Sequence, residues 1–490
     1  MTRIRSAFIS ARPGAWLSVI SALAGAVAGM AVAVAADPMS DTFQPDVFRM
    51  GNALQQRMSG FIDPLGRDCP LPAGALTFPA AVDLALCRNP STRSTWAAAR
   101  QQAAALGSAE SAWLPSLTAT DSESRVFGNH VDVTGTPVST TQNTTDAAVN
   151  LSWTLYDFGA RGGRITSARR LLDAAALTAN SVSQQTILTV AQGYYGVVAA
   201  DADLVAAQTS EVAFARALEI ARALQKGGAA SLADVLQAET AFDGAVLARV
   251  QADAAAKVAR GTLANALGLD ADRPLTLDAQ PVPAEVPALT ARMADLMAEA
   301  ARQRPDLAAA LAQRDAAVAD ITVARAAGRP TISIGAGPNF VDTPGVARQS
   351  YNQLNVSVTV PIFSGFNVDY NVRQAQAVLE AREASAEQTR LGVSLGVWNA
   401  YYGLDSANQQ LTATGALLKT SEDNKQVALG RYGAGVGTIL DVLTALQAAA
   451  AAEQLRISAE LAWQVGRAQL ALALGRLTGA EPLADSAAFP

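Results

Sequence analysis

The chain has 490 residues, of which half are hydrophobic, 16% are charged and 6% are aromatic, with a formal net charge of −6. The acidic balance argues against a nucleic-acid partner, and two cysteines with one histidine offer almost no ligands for a Cys/His metal site. The half-apolar composition is typical of membrane proteins, yet no stretch of about 18 strongly apolar residues follows the first 36 residues.

Residues 1–36 predict a secretory signal peptide. Three arginines precede an apolar run that ends in alanine and valine, which is the order of a positive start, an apolar middle and a small-residue exit. A retained membrane anchor is the alternative interpretation. Export permits disulfides, so the chain's only cysteines, Cys69 and Cys87, form either a bridge in an N-terminal extension of residues 37–88 or a pair of buried free thiols.

Most of the remaining sequence is an internal duplication. The two copies span about residues 89–270 and 304–477, with a connector of residues 271–303 between them and a tail of residues 478–490. Matching segments are residues 151–159 and 356–365, 194–196 and 401–403, 228–236 and 435–443, and 266–268 and 473–475. The last three pairs are 207 positions apart, whereas matches nearer the start of each copy are 215 apart. This change predicts a longer loop in the first copy, near residues 127–145.

Each copy predicts a helix, two strands, a very long helix, a glycine-rich turn and another helix. The first helices cover about residues 92–113 and 306–327, and the long helices cover about residues 160–226 and 365–431. A helix of 67 residues extends for about 100 Å at 1.5 Å per residue. Such a helix must pack side by side with others in a bundle, a coiled coil or an α-barrel.

The second strand of each copy, about residues 147–155 and 354–362, alternates between an apolar and a polar face. We predict that the lipid-facing residues are Val149, Leu151, Trp153, Leu155, Leu354, Val356, Val358 and Val360. We predict that the lumen-facing residues are Asn150, Ser152, Thr154, Asn355, Ser357 and Thr359. A period of two fits either a half-buried soluble strand or a membrane β-strand with lipid outside and water inside. Export without a later apolar helix favours the membrane.

Four strands are too few to close a membrane barrel. An open sheet edge is not tolerated in lipid, and membrane barrels begin at about eight strands. We therefore expect the chain to pool its strands with other copies. Three protomers would supply 12 strands and a matching ring of long helices.

The order and duplication of these motifs resemble the TolC family of bacterial outer-membrane export channels, over about residues 75–478. The resemblance implies a mixed α and β membrane protein that forms a homotrimer. A 12-stranded β-barrel in the outer membrane, with four strands per protomer, would continue into a long periplasmic α-helical barrel. It also implies a passive duct rather than an enzyme, without a cofactor or metal, that works with a periplasmic membrane-fusion adaptor and an inner-membrane transporter.

Within this family, the N-terminal extension and the missing lipidation cysteine resemble type I secretion members. The cyclolysin kind, which exports RTX toxins, is the nearest, and it implies an ABC-type transporter and a secreted protein as cargo. The alternative is a multidrug or small-molecule efflux channel with an RND-type pump. From another class, a trimeric structural or adhesive surface protein is the competing hypothesis.

Two helix–turn–helix tips, residues 226–234 and 431–441, are the candidate functional sites. Glycine lets the backbone turn between antiparallel helices, and serine or threonine can cap the returning helix. An aspartate in the first turn either stabilises the helix dipole or acts in a gate. The residues expected to contact the adaptor are Gly227, Gly228, Ser231, Asp234, Gly433, Gly435, Gly437 and Thr438.

The resemblance implies that the second tip closes the periplasmic entrance, with Asp441 and Tyr432 as gate residues. Threefold symmetry would bring three Asp441 carboxylates together, where they attract cations and repel one another. A second family aspartate is Thr444 here, and a basic residue of the gating network is Gly437. We therefore expect the contacts of the closed state to differ from those of the family.

The first strand pair is followed by four arginines, Arg161, Arg164, Arg169 and Arg170. They form a solvated helix face, line the upper tunnel, or meet anionic groups at the periplasmic face of the membrane. His130 is expected on the surface of the strand loop.

Overall fold

The computed structural model describes residues 69–71, 74–131, 135–278, 292–345 and 347–477, which lie in one compact unit. The predicted signal peptide and the tail of residues 478–490 lie outside the described residues. The helices are α1 (Phe78–Arg88), α2 (Pro90–Ser111), α3 (Ala160–Lys226), α4 (Leu232–Ala266), α5 (Met293–Gln303), α6 (Pro305–Ala326), α7 (Asn367–Gly433) and α8 (Ile439–Leu474). The strands are β1 (Ser116–Val131), β2 (Pro137–Tyr156), β3 (Thr331–Asp342) and β4 (Gln349–Thr359).

None of the described helices combines the length and the apolar character needed to cross a membrane.

The elements recur at the spacings of the sequence duplication. Helices α3 and α7 both have 67 residues and begin 207 positions apart. Helices α1 and α5 both have 11 residues, α2 and α6 both have 22, and each pair begins 215 positions apart. The repeat therefore starts at Phe78 and Met293, so that it includes two helices that the sequence placed in the extension of residues 37–88 and the connector of residues 271–303.

The prediction of a longer loop near residues 127–145 is wrong for most of that segment. Strand β1 continues to Val131 and β2 begins at Pro137, so most of this segment is strand. Residues 139–145 are rich in serine and threonine, and β-branched threonine favours extended backbone. The insertion therefore lengthens a hairpin, and His130 belongs to β1 rather than to a loop.

The four strands form one antiparallel sheet in the order β1-β2-β3-β4. Near the long helices, the register groups residues of one kind in the same row. One row across the sheet contains Leu117, Leu151, Ala336 and Leu354, and the next row contains Ser116, Ser152, Gly335 and Asn355. Both rows are open to solvent in the protomer, since Leu354 is 72% exposed and Asn355 on the opposite face is exposed too.

A β-bulge changes the end of β2. The pairing of Thr154 with Ser333 is followed by the pairing of Tyr156 with Ile332, which leaves Leu155 as the extra residue. A bulge sets two residues of one strand opposite one residue of its partner. Tyr156 therefore lies on the apolar face of the sheet, in a row with Ile332 and Val358, whereas strict alternation along β2 would place it on the polar face.

The four longest helices pack in the order α4–α3–α8–α7. Helices α3 and α4 approach through alanines such as Ala217, Ala221 and Ala238, all of which are fully buried. Alanine is the best helix former and adds little bulk to a helix contact. The alanine content of the sequence thus supports close packing of very long helices.

The residues before α2 pack against the middle of α3. Phe78 and Val82 share a buried cluster with Ile187 and Tyr194. The Tyr194 hydroxyl reaches the carbonyl oxygens of Leu76 and Asp278 at 3.2 and 2.7 Å, and burial raises the pKa of Tyr194 to about 12. This tyrosine is thus a packing residue whose hydroxyl ties two chain segments together.

A disulfide joins Cys69 to Cys87, whose Cα atoms lie 6.2 Å apart. The Arg88 guanidinium also donates to the Cys69 carbonyl oxygen at 3.1 Å. Because Cys87 belongs to α1, the bridge fastens the segment before α1 to that helix.

The corner between β2 and α3 contains a buried cation. Arg161 is only 4% exposed, and its side chain pairs with Asp157 at 3.0 Å. It also donates to the Thr154 carbonyl oxygen at 2.6 Å and lies 4.1 Å from the Trp113 ring centroid. The interpretation of Arg161 as a solvated or lumen-lining residue is therefore wrong, because its side chain joins the end of β2, the corner and the residues that follow α2.

Removing this guanidinium should destabilise the first corner. In Arg161→Ala, Asp157 becomes a largely buried carboxylate without its cation, and breaking a buried ion pair from one side costs about 3 kcal/mol. We expect a lower unfolding temperature for the detergent-solubilised protein, followed by circular dichroism. Arg164→Ala removes a nearby exposed arginine and is the matched control. Equal unfolding temperatures for the two variants would contradict this role.

Candidate functional site: the helix–turn–helix tips

The two tips have the same backbone geometry. Gly228 and Gly435 have φ values of 74° and 75°, the left-handed conformation that glycine adopts without steric cost. After each glycine, an amide donates back to the end of the incoming helix, from Ala229 to Leu224 at 2.8 Å and from Val436 to Arg431 at 3.0 Å. This hydrogen-bond pattern ends a helix at a left-handed residue, and it reverses the chain within six residues.

The returning helices begin with matching capping boxes. The Asp234 amide donates to the Ser231 hydroxyl at 3.2 Å, and the Ser231 amide donates to the Asp234 carboxylate at 2.8 Å. The corresponding distances for Asp441 and Thr438 are 3.2 and 3.1 Å. Each aspartate therefore stabilises the start of its own helix. The Thr438 hydrogen bonds hold the pKa of Asp441 below its usual range, so the carboxylate is charged at neutral pH.

Tyr432 links the second tip to the first. Its side chain is buried in a cluster with Phe214 and Leu218 of α3 and Val235 of α4, the two helices that form the first tip. Burial, together with the nearby Asp234 charge, raises the pKa of Tyr432. Among the described residues, no hydrogen-bond partner lies near the buried Tyr432 hydroxyl.

The predicted gate residues occupy different surroundings in the protomer. Asp441 is exposed, whereas Tyr432 is buried. The expected adaptor-docking residues Gly227, Gly228, Ser231, Gly433, Gly435 and Thr438 are exposed at the two tips, and Asp234 and Gly437 are half-buried. The structure therefore brings the two tips together through Tyr432 and leaves Asp441 free to face another molecule.

A groove of about 720 Å³, which the sequence does not predict, lies beside the tips. It is lined by α3, α4 and α8, with Phe214, Thr240, Gly244, Leu443 and Gln447 among its residues. The lining residues are spread over three distant segments, so only the helix order could have identified them.

The sheet and the tips together define a class of protein, an export channel of the bacterial outer membrane. Two segments of the chain, residues 81–269 and 296–476, match the family model described as outer membrane efflux protein. The chain therefore belongs to the outer membrane efflux protein family, whose TolC-like members are passive channels of the outer membrane with a periplasmic helical barrel. Such channels form homotrimers and work with an adaptor and an inner-membrane pump.

Individual relatives agree with this assignment. The chain is 31% identical to protein CyaE of Bordetella pertussis over 77% of this chain and 80% of the relative. It is 23% identical to the outer membrane protein TolC of Escherichia coli over 70% of this chain and 71% of the relative. Among solved structures, the outer-membrane channel OprN superposes with a TM-score of 0.73 at 22% identity, covering 85% of this chain and 96% of OprN.

The capping boxes generate a local stability prediction. Thr438→Ala removes the cap, which costs about 1 kcal/mol of helix stability, so amides in the first turn of α8 should exchange with solvent faster. In the unchanged protein, a lowered Asp441 pKa means that the cap contributes above the ordinary aspartate value of about 3.9 and loses its effect as pH falls through the lower folded pKa.

Hydrogen exchange of residues 439–443, corrected for intrinsic rates, measures this effect. Ser231→Ala is the matched control, since it should accelerate exchange in α4 and leave α8 unchanged. Exchange in α8 that is insensitive to Thr438→Ala would rule out the cap as a determinant of tip stability.

Proposed function

We propose that this protein is the outer-membrane exit duct of a type I secretion system, which passively conducts a secreted protein of the RTX type. The central observation is a four-stranded sheet, open on both faces, whose strands lead directly into two 67-residue helices. Such a unit has the parts of a membrane barrel and of a tunnel wall, but it is incomplete as a single copy.

The two faces of the sheet have separate roles in this proposal. The apolar face, with Leu151, Trp153, Leu354, Val356 and Val358, meets outer-membrane lipid. The polar face, with residues such as Asn150, Ser152, Asn355 and Thr359, lines the water-filled lumen. The register supports the division near the long helices, where residues of one kind lie opposite each other, as Leu117, Leu151, Ala336 and Leu354 do. Further along the strands the rows are mixed, and Asp121, Ala147, Phe340 and Ser350 share one of them.

In this proposal, the tips bind the adaptor and form the gate. Turns closed by glycine present little side-chain bulk, so an adaptor hairpin can approach the backbone closely. Asp441 is exposed and charged, and three copies around a threefold axis form an acidic ring at the periplasmic entrance. Tyr432 holds the second tip against the first, so that opening must move the two tips together or separate them at this contact.

An ABC-type transporter is the proposed energy source, because the similarity to protein CyaE supports the type I secretion kind. A multidrug efflux channel with an RND-type pump is the second candidate, and similarity to efflux components of Pseudomonas putida favours it. The adhesive surface protein is a weaker hypothesis, because strand–helix corners that enter a tunnel have no use in a stalk.

The gate proposal predicts a change in conductance. Asp441→Ala removes three carboxylates from the entrance, which should weaken block by divalent cations and raise single-channel conductance in planar bilayers. Asp234→Ala changes the matching cap of the first tip and serves as the control. If conductance and cation block are the same as in the unchanged channel, Asp441 has no part in the gate.

The cargo proposal predicts a secretion defect. Deleting the gene should retain an RTX-type protein inside the cell while leaving the minimal inhibitory concentrations of drugs and dyes within about twofold. Complementation with the unchanged gene should restore secretion. Normal secretion together with a strong drug sensitivity would favour the efflux alternative.

A further inference from the structure

Two exposed apolar stripes mark the ends of the row of long helices. In the order α4–α3–α8–α7, only α4 and α7 lack a long-helix neighbour on one side among the described residues. The stripe on α7 consists of Leu391, Leu395, Trp398 and Tyr402, which are 55%, 59%, 47% and 48% exposed. The stripe on α4 consists of Val250, Ala254 and Val258, which are exposed, and Gly261, which is half-buried. Both stripes have the three- and four-residue spacing of a helix face that packs on another helix.

The chain already contains a filled version of this contact. The residues of α3 that lie 207 positions before the α7 stripe are Gln184, Leu188, Ala191 and Tyr195. The first three are buried, and Leu188 and Ala191 share a cluster with Ala468 and Ala471 of α8. Within one chain, α8 therefore covers the face of α3 that is equivalent to the exposed stripe of α7.

The internal contact also fixes the register. The Gln184 side-chain amide donates to the Gly475 carbonyl oxygen at 3.2 Å. Because α3 and α8 run in opposite directions, seven residues further along α3 correspond to seven residues back along α8. Ala191 therefore lies at the level of Ala468. The residue equivalent to Ala191, 207 positions later, is Trp398 of α7, and the residue equivalent to Ala468, 207 positions earlier, is Gly261 of α4. An equivalent contact between protomers would therefore place Trp398 at the level of Gly261.

We propose that the α7 stripe of one protomer docks on the C-terminal half of α4 of a neighbouring protomer, with Trp398 packed over Gly261. This inference rests on the proposed trimeric duct and names the surface that closes its helical wall. The occupant is a second copy because α4 belongs to the same repeat position as α8, which already fills the equivalent place inside the chain.

The sizes of the residues support the pairing. At the internal contact, alanine faces alanine, whereas at the proposed contact one side enlarges to Trp398 and the other shrinks to Gly261. A large residue opposite a small one lets facing helices interdigitate. Within its own protomer, a Cβ atom at Gly261 would meet Ala271 only at ordinary van der Waals distance, 3.5 Å or more. The small size of residue 261 is therefore not required by the protomer itself.

Paired cysteines test this contact. Cys69 and Cys87 are bridged, so introduced thiols are the only free ones in the chain. In Trp398→Cys with Gly261→Cys, mild oxidation in membranes should give covalent dimers and trimers on non-reducing gels. Ala191→Cys with Ala468→Cys is the positive control and should cross-link within one chain. Trp398→Cys with Ala254→Cys displaces the pair by seven residues, about 10 Å, and should yield at least tenfold less product.

The outcomes separate this inference from the proposed function. The trimer could stay intact in detergent while cysteines at positions 398 and 261 fail to cross-link and the positive control succeeds. This result would contradict the proposed contact between α7 and α4 of neighbouring protomers, but not the proposed duct. A protein that remains a monomer in the membrane overturns both.

A second pair of variants covers the case in which the cysteine pair misfolds. Gly261→Leu should lower the temperature at which the trimer dissociates, and adding Trp398→Ala should restore it. A dissociation temperature that Gly261→Leu leaves unchanged would contradict the proposed contact.

Discussion

The open edges of the four-stranded sheet are the constraint on which the rest of this structure depends. Among the described residues, strands β1 and β4 are each paired with a strand on one side only, so that the other side is an edge of backbone N–H and C=O groups without a neighbouring strand. In hydrocarbon, each unpaired group costs several kcal/mol, so an open sheet cannot remain there. Further copies must supply the missing strands, and because the strands lead into α3 and α7, the long helices must assemble around the same axis.

The duplication explains how one chain meets this constraint economically. Each copy provides one hairpin and one pair of long helices, and the contact between the copies is a template for the contact between protomers. The copies differ where a single position has a special task. The buried Arg161 of the first corner corresponds to Val368 in the second, and the compact Ala191 corresponds to the exposed Trp398. The first corner is thus completed within the chain, while the second copy offers its surface to a neighbour.

Much of this architecture is readable from the sequence, because it follows from local rules repeated twice. The 67-residue length of α3 and the capping boxes at Ser231 and Thr438 come from residues close together in the chain. The extended hairpin of residues 127–145 was missed, because a polar serine- and threonine-rich segment is equally typical of a loop. The burial of Arg161 was missed since it depends on Trp113, which lies 48 positions earlier and meets it only through the sheet.

The position of Asp441 is compatible with both its structural role and the gating role proposed for it. Hydrogen bonds to Thr438 fix the carboxylate at the start of α8 and hold its pKa down. Bringing three such carboxylates together would raise their pKa values through mutual repulsion, and a protonated ring would lose its attraction for cations. The cap opposes that shift, so the ring can stay charged near neutral pH. In the proposed gate, helix capping would therefore help a ring of aspartates to act at the entrance, rather than being a competing explanation for the residue.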